Sequence, residues 1–266
     1  MFSMRQLLTC ALLSAAVLST AMVAPAQAAF NGTWRADLSK AKFSEKPFTF
    51  DIRQGWFHCV TCIPAMTIRA DGKDHAVTGQ AVDTIRITPV DERSLRMMGK
   101  KGGRVVFNQI STLSEDGNNL TVQSTTYPGN GKKPVTVKNT LRREGALQAG
   151  TYPASGSWIA EKASGSENGL LATFKTNNGE ITMTDPAGES YTARFDGRDA
   201  SVKGANGWDT VSLKLVNDRT IEETDKFHGN VTSVSTMTVS ADGRTMTVVA
   251  TEKPDERTST YTWTKQ

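Results

Sequence analysis

Two cysteines and three histidines carry most of the reactive chemistry in this 266-residue chain. Cys59 and Cys62 stand in Gly55-Trp-Phe-His-Cys-Val-Thr-Cys-Ile-Pro64. Their spacing suits three kinds of chemistry. As residues i and i+3 of a β-turn, their Cα atoms lie within about 7 Å, which a disulfide bridges. At a helix N-terminus the same spacing serves thiol–disulfide exchange. With His58 or His75 added, two thiolates begin a zinc site. Strand-like sequence follows Pro64 and no βαβ pattern surrounds the pair, so the structural disulfide is the favoured reading. Trp56, Phe57 and His58 precede the turn directly and are the candidate ligand-contacting residues. The chain has no Gly-x-Ser-x-Gly elbow, His-Glu-x-x-His pair or phosphate-cradling glycine loop. No catalytic residue, metal or cofactor is therefore assigned.

The stretch that organises the chain occurs twice, as Asp71-Gly-Lys-Asp-His-Ala-Val-Thr-Gly79 and Asp196-Gly-Arg-Asp-Ala-Ser-Val-Lys-Gly204. After one inserted residue the match runs without a gap from Asp83/Asp209 to Thr125/Thr251, and 14 of those 43 positions are identical. A period of this length is that of a domain, so the chain holds a duplicated domain. The second copy also bears on the cysteines. Counted back from Asp71/Asp196, Cys59 falls on Thr184 and Cys62 on Ala187, in the turn sequence Thr184-Asp-Pro-Ala-Gly188. His75 becomes Ala200 and His228 becomes Gly102, so neither imidazole belongs to the shared scaffold. Asp71, Asp74 and Asp83, with Asp196, Asp199 and Asp209, form a repeated acidic set. It invites a calcium reading, but Asp-Gly turns and side chain to amide hydrogen bonds account for it more simply.

Period-two alternation dominates both copies. In Thr245-Met-Thr-Val-Val-Ala-Thr251, Met246, Val248 and Ala250 share one face, the mark of a half-buried strand. Asp-Gly at 71, 116, 196 and 242 supplies hairpin turns. The chain reads as all-β, with two tandem antiparallel β-barrels of eight to nine strands each. Asp37 to Phe43 is the one stretch that reads as a short helix. The expected bounds are 1–29 for a leader, 30–144 and 154–266 for the barrels, and 145–153 for the linker. Arg5, an apolar run and Ala26-Gln-Ala28 make residues 1–29 a cleavable secretory signal, which places the protein in the periplasm or outside the cell, without a later membrane span. Cys10 leaves with the leader. The net charge of +4 is interspersed, so no nucleic-acid partner is expected. Glu222-Glu-Thr-Asp-Lys226, whose counterpart in the other copy is Arg96-Met-Met-Gly-Lys100, suggests complementary surfaces.

Each copy opens with Gly-x-Trp, at Trp34 and Trp158, and ends on a cation, Arg142 or Arg143 and then Lys265. This resembles lipocalin-like barrels, in which a first-strand Trp seals one end beneath a basic side chain of the last strand. The resemblance implies that Trp34, Arg142, Trp158 and Lys265 serve closure. The chain also resembles exported bacterial tandem-repeat proteins of unknown function, on Cys59-Val-Thr-Cys62, Ala70-Asp-Gly-Lys-Asp-His75, Val77-Thr-Gly79, Glu222-Glu-Thr-Asp-Lys226 and Val239-Ser-Ala-Asp-Gly243. That likeness implies export and duplication, and no catalytic residues. The leading functional expectation is a module for a small apolar ligand. The alternatives are an envelope protein–protein interaction module without a cavity, and a redox protein using Cys59 and Cys62.

Overall fold

The computed structural model describes residues 28–62, 64–129, 131–205, 207–253 and 255–266. The expected leader lies outside this range, apart from Ala28 and Ala29. Among the described residues the first copy forms β1 (Gly32–Lys42), β2 (Phe48–Arg53), β3 (Trp56–Cys59), β4 (Met66–Arg69), β5 (Asp74–Ala76), β6 (Thr84–Pro89), β7 (Ser94–Lys101), β8 (Arg104–Leu113), β9 (Asn119–Thr126) and β10 (Val135–Glu144). The second forms β11 (Gly156–Gly165), β12 (Leu171–Asn177), β13 (Glu180–Thr184), β14 (Ser190–Arg194), β15 (Asp196–Lys203), β16 (Thr210–Asn217), β17 (Thr220–Phe227), β18 (Asn230–Val239), β19 (Thr245–Glu252) and β20 (Arg257–Lys265).

Alternation produces these strands as expected. On β19, Met246 is 1% exposed while Thr245 and Thr247 face solvent. The Asp-Gly turns work twice over. Gly72, Gly117, Gly197 and Gly243 take positive φ, which glycine adopts without a Cβ clash. In each turn the preceding aspartate accepts the amide two residues on, from Lys73, Asn118, Arg198 and Arg244.

The strands form two ten-stranded antiparallel sheets. One is a closed barrel in the order β1-β12-β13-β14-β15-β16-β17-β18-β19-β20. The other runs β4-β3-β2-β11-β10-β9-β8-β7-β6-β5 and stays open between β4 and β5. Each therefore has more strands than the eight to nine expected. The structural units also differ from the sequence repeats in one strand each. The N-terminal β1 pairs with β12 and β20 of the second copy, and β11 pairs with β10 and β2 of the first. The two copies have exchanged their first strands, as swapped dimers do, but within one chain. We call the sheet of β2–β11 the first barrel and that of β12–β20 with β1 the second.

Two separate cores follow. Phe50, Ile52, Ile87, Leu95, Leu120 and Trp158 belong to one, and Phe30, Trp34, Ile181, Leu213, Ile221 and Met246 to the other. The short helix expected from Asp37 to Phe43 is absent. Residues up to Lys42 continue β1, whose pairing with β20 carries a register shift between Asp37 and Lys42. Pairing with β20 at Asp37 and Lys42 outweighs the weak helical pattern of so short a piece.

Candidate functional site

The barrel ends are built alike. Trp158 is 1% exposed, and Trp34 is fully buried. Their indole N–H groups donate to the carbonyls four residues back, of Ala154 and Phe30. The Arg143 guanidinium lies 4.3 Å from the Trp158 ring centre, and Lys265 Nζ lies 5.2 Å from that of Trp34. Arg143 also donates to the carbonyls of Gly117, Pro153 and Ser155, and burial lowers its proton affinity. The closing cation of the first barrel is thus Arg143. Arg142 points outward, ion-paired with Glu144 and Glu161, because neighbouring strand residues face opposite ways. The glycine of each Gly-x-Trp has a steric reason. A Cβ on Gly32 would stand 2.6 Å from Lys265 Cε, and one on Gly156 would stand 2.7 Å from Arg143 Nη1.

The opposite region separates the copies. In the second barrel β14 and β15 join through Ser190–Lys203 and Tyr191–Val202. There the backbones are so close that a Cβ on Gly204 would lie 2.2 Å from the Gly188 carbonyl oxygen. In the first barrel the same seam is unpaired. Pro64 stands at the position of Glu189 and has no N–H to donate. Its ring reaches to 3.5 Å of where a Gly79 Cβ would be, so a side chain wedges the gap that backbone contact closes in the other copy.

Behind this seam lies a cavity of about 1300 Å³. Pro64, Met66, Val82, Met97, Val106 and Phe107 are among its walls. At the same places in the second copy stand Glu189, Tyr191, Trp208, Glu223, Thr232 and Ser233. Apart from Val82/Trp208, each of these positions is apolar in the first copy and carries a carboxyl or hydroxyl group in the second. Gly99 and Asp225 complete the exchange. A Cβ on Gly99 would lie 2.1 Å from the Phe107 ring, so glycine is what lets that ring lie across β7. In the second copy the smaller Ser233 donates instead to Asp225, at 2.6 Å. The cavity extends towards the second barrel, where Glu189, Thr232, Ser233 and Arg257 bound it.

Inside the second barrel these polar residues form a network. Tyr191 donates to Glu223 and packs edge-on against Trp208 at 5.9 Å. Burial raises the proton affinity of Glu223 and Asp225, and the charge of Asp225 raises Glu223 further. Burial, reinforced by the charge of Asp185, pushes Glu189 up to about 7. Burial and Glu223 together raise the Tyr191 phenol. Among the described residues no Lys, Arg or His lies within 4.0 Å of the carboxylates of Glu189, Glu223 or Asp225.

The residues picked from sequence sit elsewhere, with one exception. Cys59 and Cys62 have their sulfurs 2.09 Å apart and Cα atoms 5.4 Å apart, a disulfide closing the β3–β4 turn. Cys62 lines the cavity. The strand register aligns Cys59 with Met183, not Thr184, because six residues separate Cys59 from Met66 while seven separate Met183 from Tyr191. None of Trp56, Phe57 and His58 lines the cavity. Phe57 is 2% exposed in the first core, stacked on Phe50. Trp56 is on the outer face under Arg69, and His58 is beside Thr67. The repeated aspartates serve the scaffold. Asp83 and Asp209 accept the amides of Gly102 and His228, and Asp74 and Asp199 hold Lys100 and Lys226. The two copies do not present Glu223 and Arg96 to each other. Glu223 points into its barrel, and Arg96 binds Asn108 of its own sheet.

No protein-family model matches the chain, and no curated protein is similar enough to match it. No helix among the described residues is long and apolar enough to cross a membrane.

Proposed function

We propose that this protein is a non-catalytic binding module that holds a small apolar molecule behind the open seam of its first barrel. The cavity bounded by Pro64, Met66, Met97 and Phe107 of the first barrel and by Glu189, Thr232, Ser233 and Arg257 of the second carries this reading. Its volume, about 1300 Å³, leaves ample room beside the roughly 300–1,000 Å³ of ordinary small-molecule pockets. Met66 and Met97 suit an adaptable apolar wall, since the thioether side chain fits irregular shapes. The sealed Trp–cation ends support the likeness to lipocalin-like barrels, whose mouths take ligands. Export after removal of the leader belongs to the same proposal.

The test is thermal denaturation with uncharged apolar probes such as 1-decanol, on the parent protein and on Met97→Trp. A ligand at a hundred times its Kd stabilises by about 2.7 kcal/mol, so the parent melting temperature rises measurably. Met97→Trp crowds the apolar end of the cavity, at about 1–3 kcal/mol of overpacking, and reduces the rise while still unfolding cooperatively. An equal rise in both proteins, or none in the parent, contradicts the proposal.

A further inference from the structure

We propose that the occupant of this cavity is a cationic amphiphile, with its apolar body against the first barrel and its positive head against Glu189 at the second. This rests on the binding reading above and adds the chemistry of the head group. The argument is one of charge around a single cavity. Pro64, Met66, Met97 and Phe107 make one end apolar, and Glu189 and Ser233 stand at the other. Behind Ser233, Asp225 Oδ1 is wholly buried and has no hydrogen-bond partner. Its other oxygen accepts from Ser233, so a charge on Asp225 is only half satisfied; a half-satisfied buried anion is costly, and a positive group brought up to the Ser233 wall offsets that cost.

The neighbouring cations are already committed. Arg257 is ion-paired to Glu252 at 2.8 Å and Asp255 at 3.2 Å. His228 is 3.2 Å from Asp209, and Lys226 is 2.7 Å from Asp199. Lys132, from the segment after β9, acts on Asp185 rather than on Glu189. Tyr191 faces Glu223 and adds no positive charge. An anionic head would therefore meet carboxylates, whereas a cation completes the set. Because Glu189 titrates near 7, the preference for a cation grows as the carboxylates ionise.

Decyltrimethylammonium, 1-decanol and decyl sulfate share one chain, and none changes its own charge near neutrality. Their affinities for the full chain are compared by calorimetry at an acid and an alkaline pH. At about pH 8.5 the ammonium binds roughly tenfold or more tighter than 1-decanol, and decyl sulfate is weakest; at about pH 5.5 the preference falls to within about twofold. In Glu189→Gln the alkaline preference shrinks while 1-decanol affinity is kept. The parent pH series stands as a test even if this variant fails to fold. Equal binding of all three probes at alkaline pH, or a preference that ignores pH, overturns the cationic assignment alone. Binding of none overturns the cavity reading itself.

Discussion

Glu189, Glu223 and Asp225 are buried acids that hold their protons more tightly in the folded chain than in the unfolded one. A carboxyl raised in this way stabilises the fold fully below its unfolded value and loses that contribution as pH rises through its folded value. For Glu189 the window runs from 4.5 to about 7, on the order of a few kcal/mol. Asp116 and Asp242 act oppositely. The hydroxyls of Ser114 and Ser240, then the turn amides, hold them low, so their contribution is lost only as pH falls through the lowered values. The melting temperature should therefore peak on the acid side of neutrality and decline between about pH 5 and about pH 8. Glu223→Gln should flatten that decline. A melting temperature that climbs across the same interval would contradict the buried network. In the sequence Glu223 and Asp225 read as part of a charged strand end, since period two cannot tell which face of a polar strand is inside. The aligned pairs Met97/Glu223, Gly99/Asp225 and Phe107/Ser233 held the missing signal, a coupled exchange of size and polarity between copies.

At the scale of elements, the first strand of each copy closes the barrel of the other. Trp34 stands in the core of β12–β20 and Trp158 in that of β2–β11. Replacing a buried Trp by Ala costs about 3–5 kcal/mol. Trp34→Ala should thus lower amide protection in β12–β20 and leave β6–β10 protected, and Trp158→Ala should do the reverse. Hydrogen exchange read by mass spectrometry checks this. Protection lost in the barrel nearer in sequence would mean that the strands are not exchanged. The all-β class and the hairpin turns were legible from alternation and Asp-Gly. The exchange was not, because both copies open with the same Gly-x-Trp and the motif does not say which barrel it enters. Nor was β15, whose Asp196-Gly-Arg-Asp-Ala-Ser-Val-Lys203 offers little apolar alternation and opens on a turn signal.

Over the whole molecule, duplication produced one scaffold with two interiors. The shared parts hold the frame: the Asp-Gly turns, the Asp83/Asp209 amide contacts and the Trp–cation ends. The divergent parts face inward at one end, where the first copy became apolar and open and the second became polar and shut. The disulfide stands on the wall of the open one. Trp56, Phe57 and His58 seemed well placed from sequence beside that turn, but alternation along β3 sends Phe57 into the packed core and the other two outward.

The central claim is that the ligand's apolar body lies against the interior of the first barrel and not in the second core. Methionine methyl resonances report on both interiors at once, with Met66 and Met97 on the cavity wall and Met183, Met237 and Met246 in the second core. Titrating 1-decanol into methyl-labelled protein should move the Met66 and Met97 signals in a saturable way and leave the other three in place. Saturable shifts confined to Met183, Met237 and Met246, or no saturable shift at all, would contradict the account.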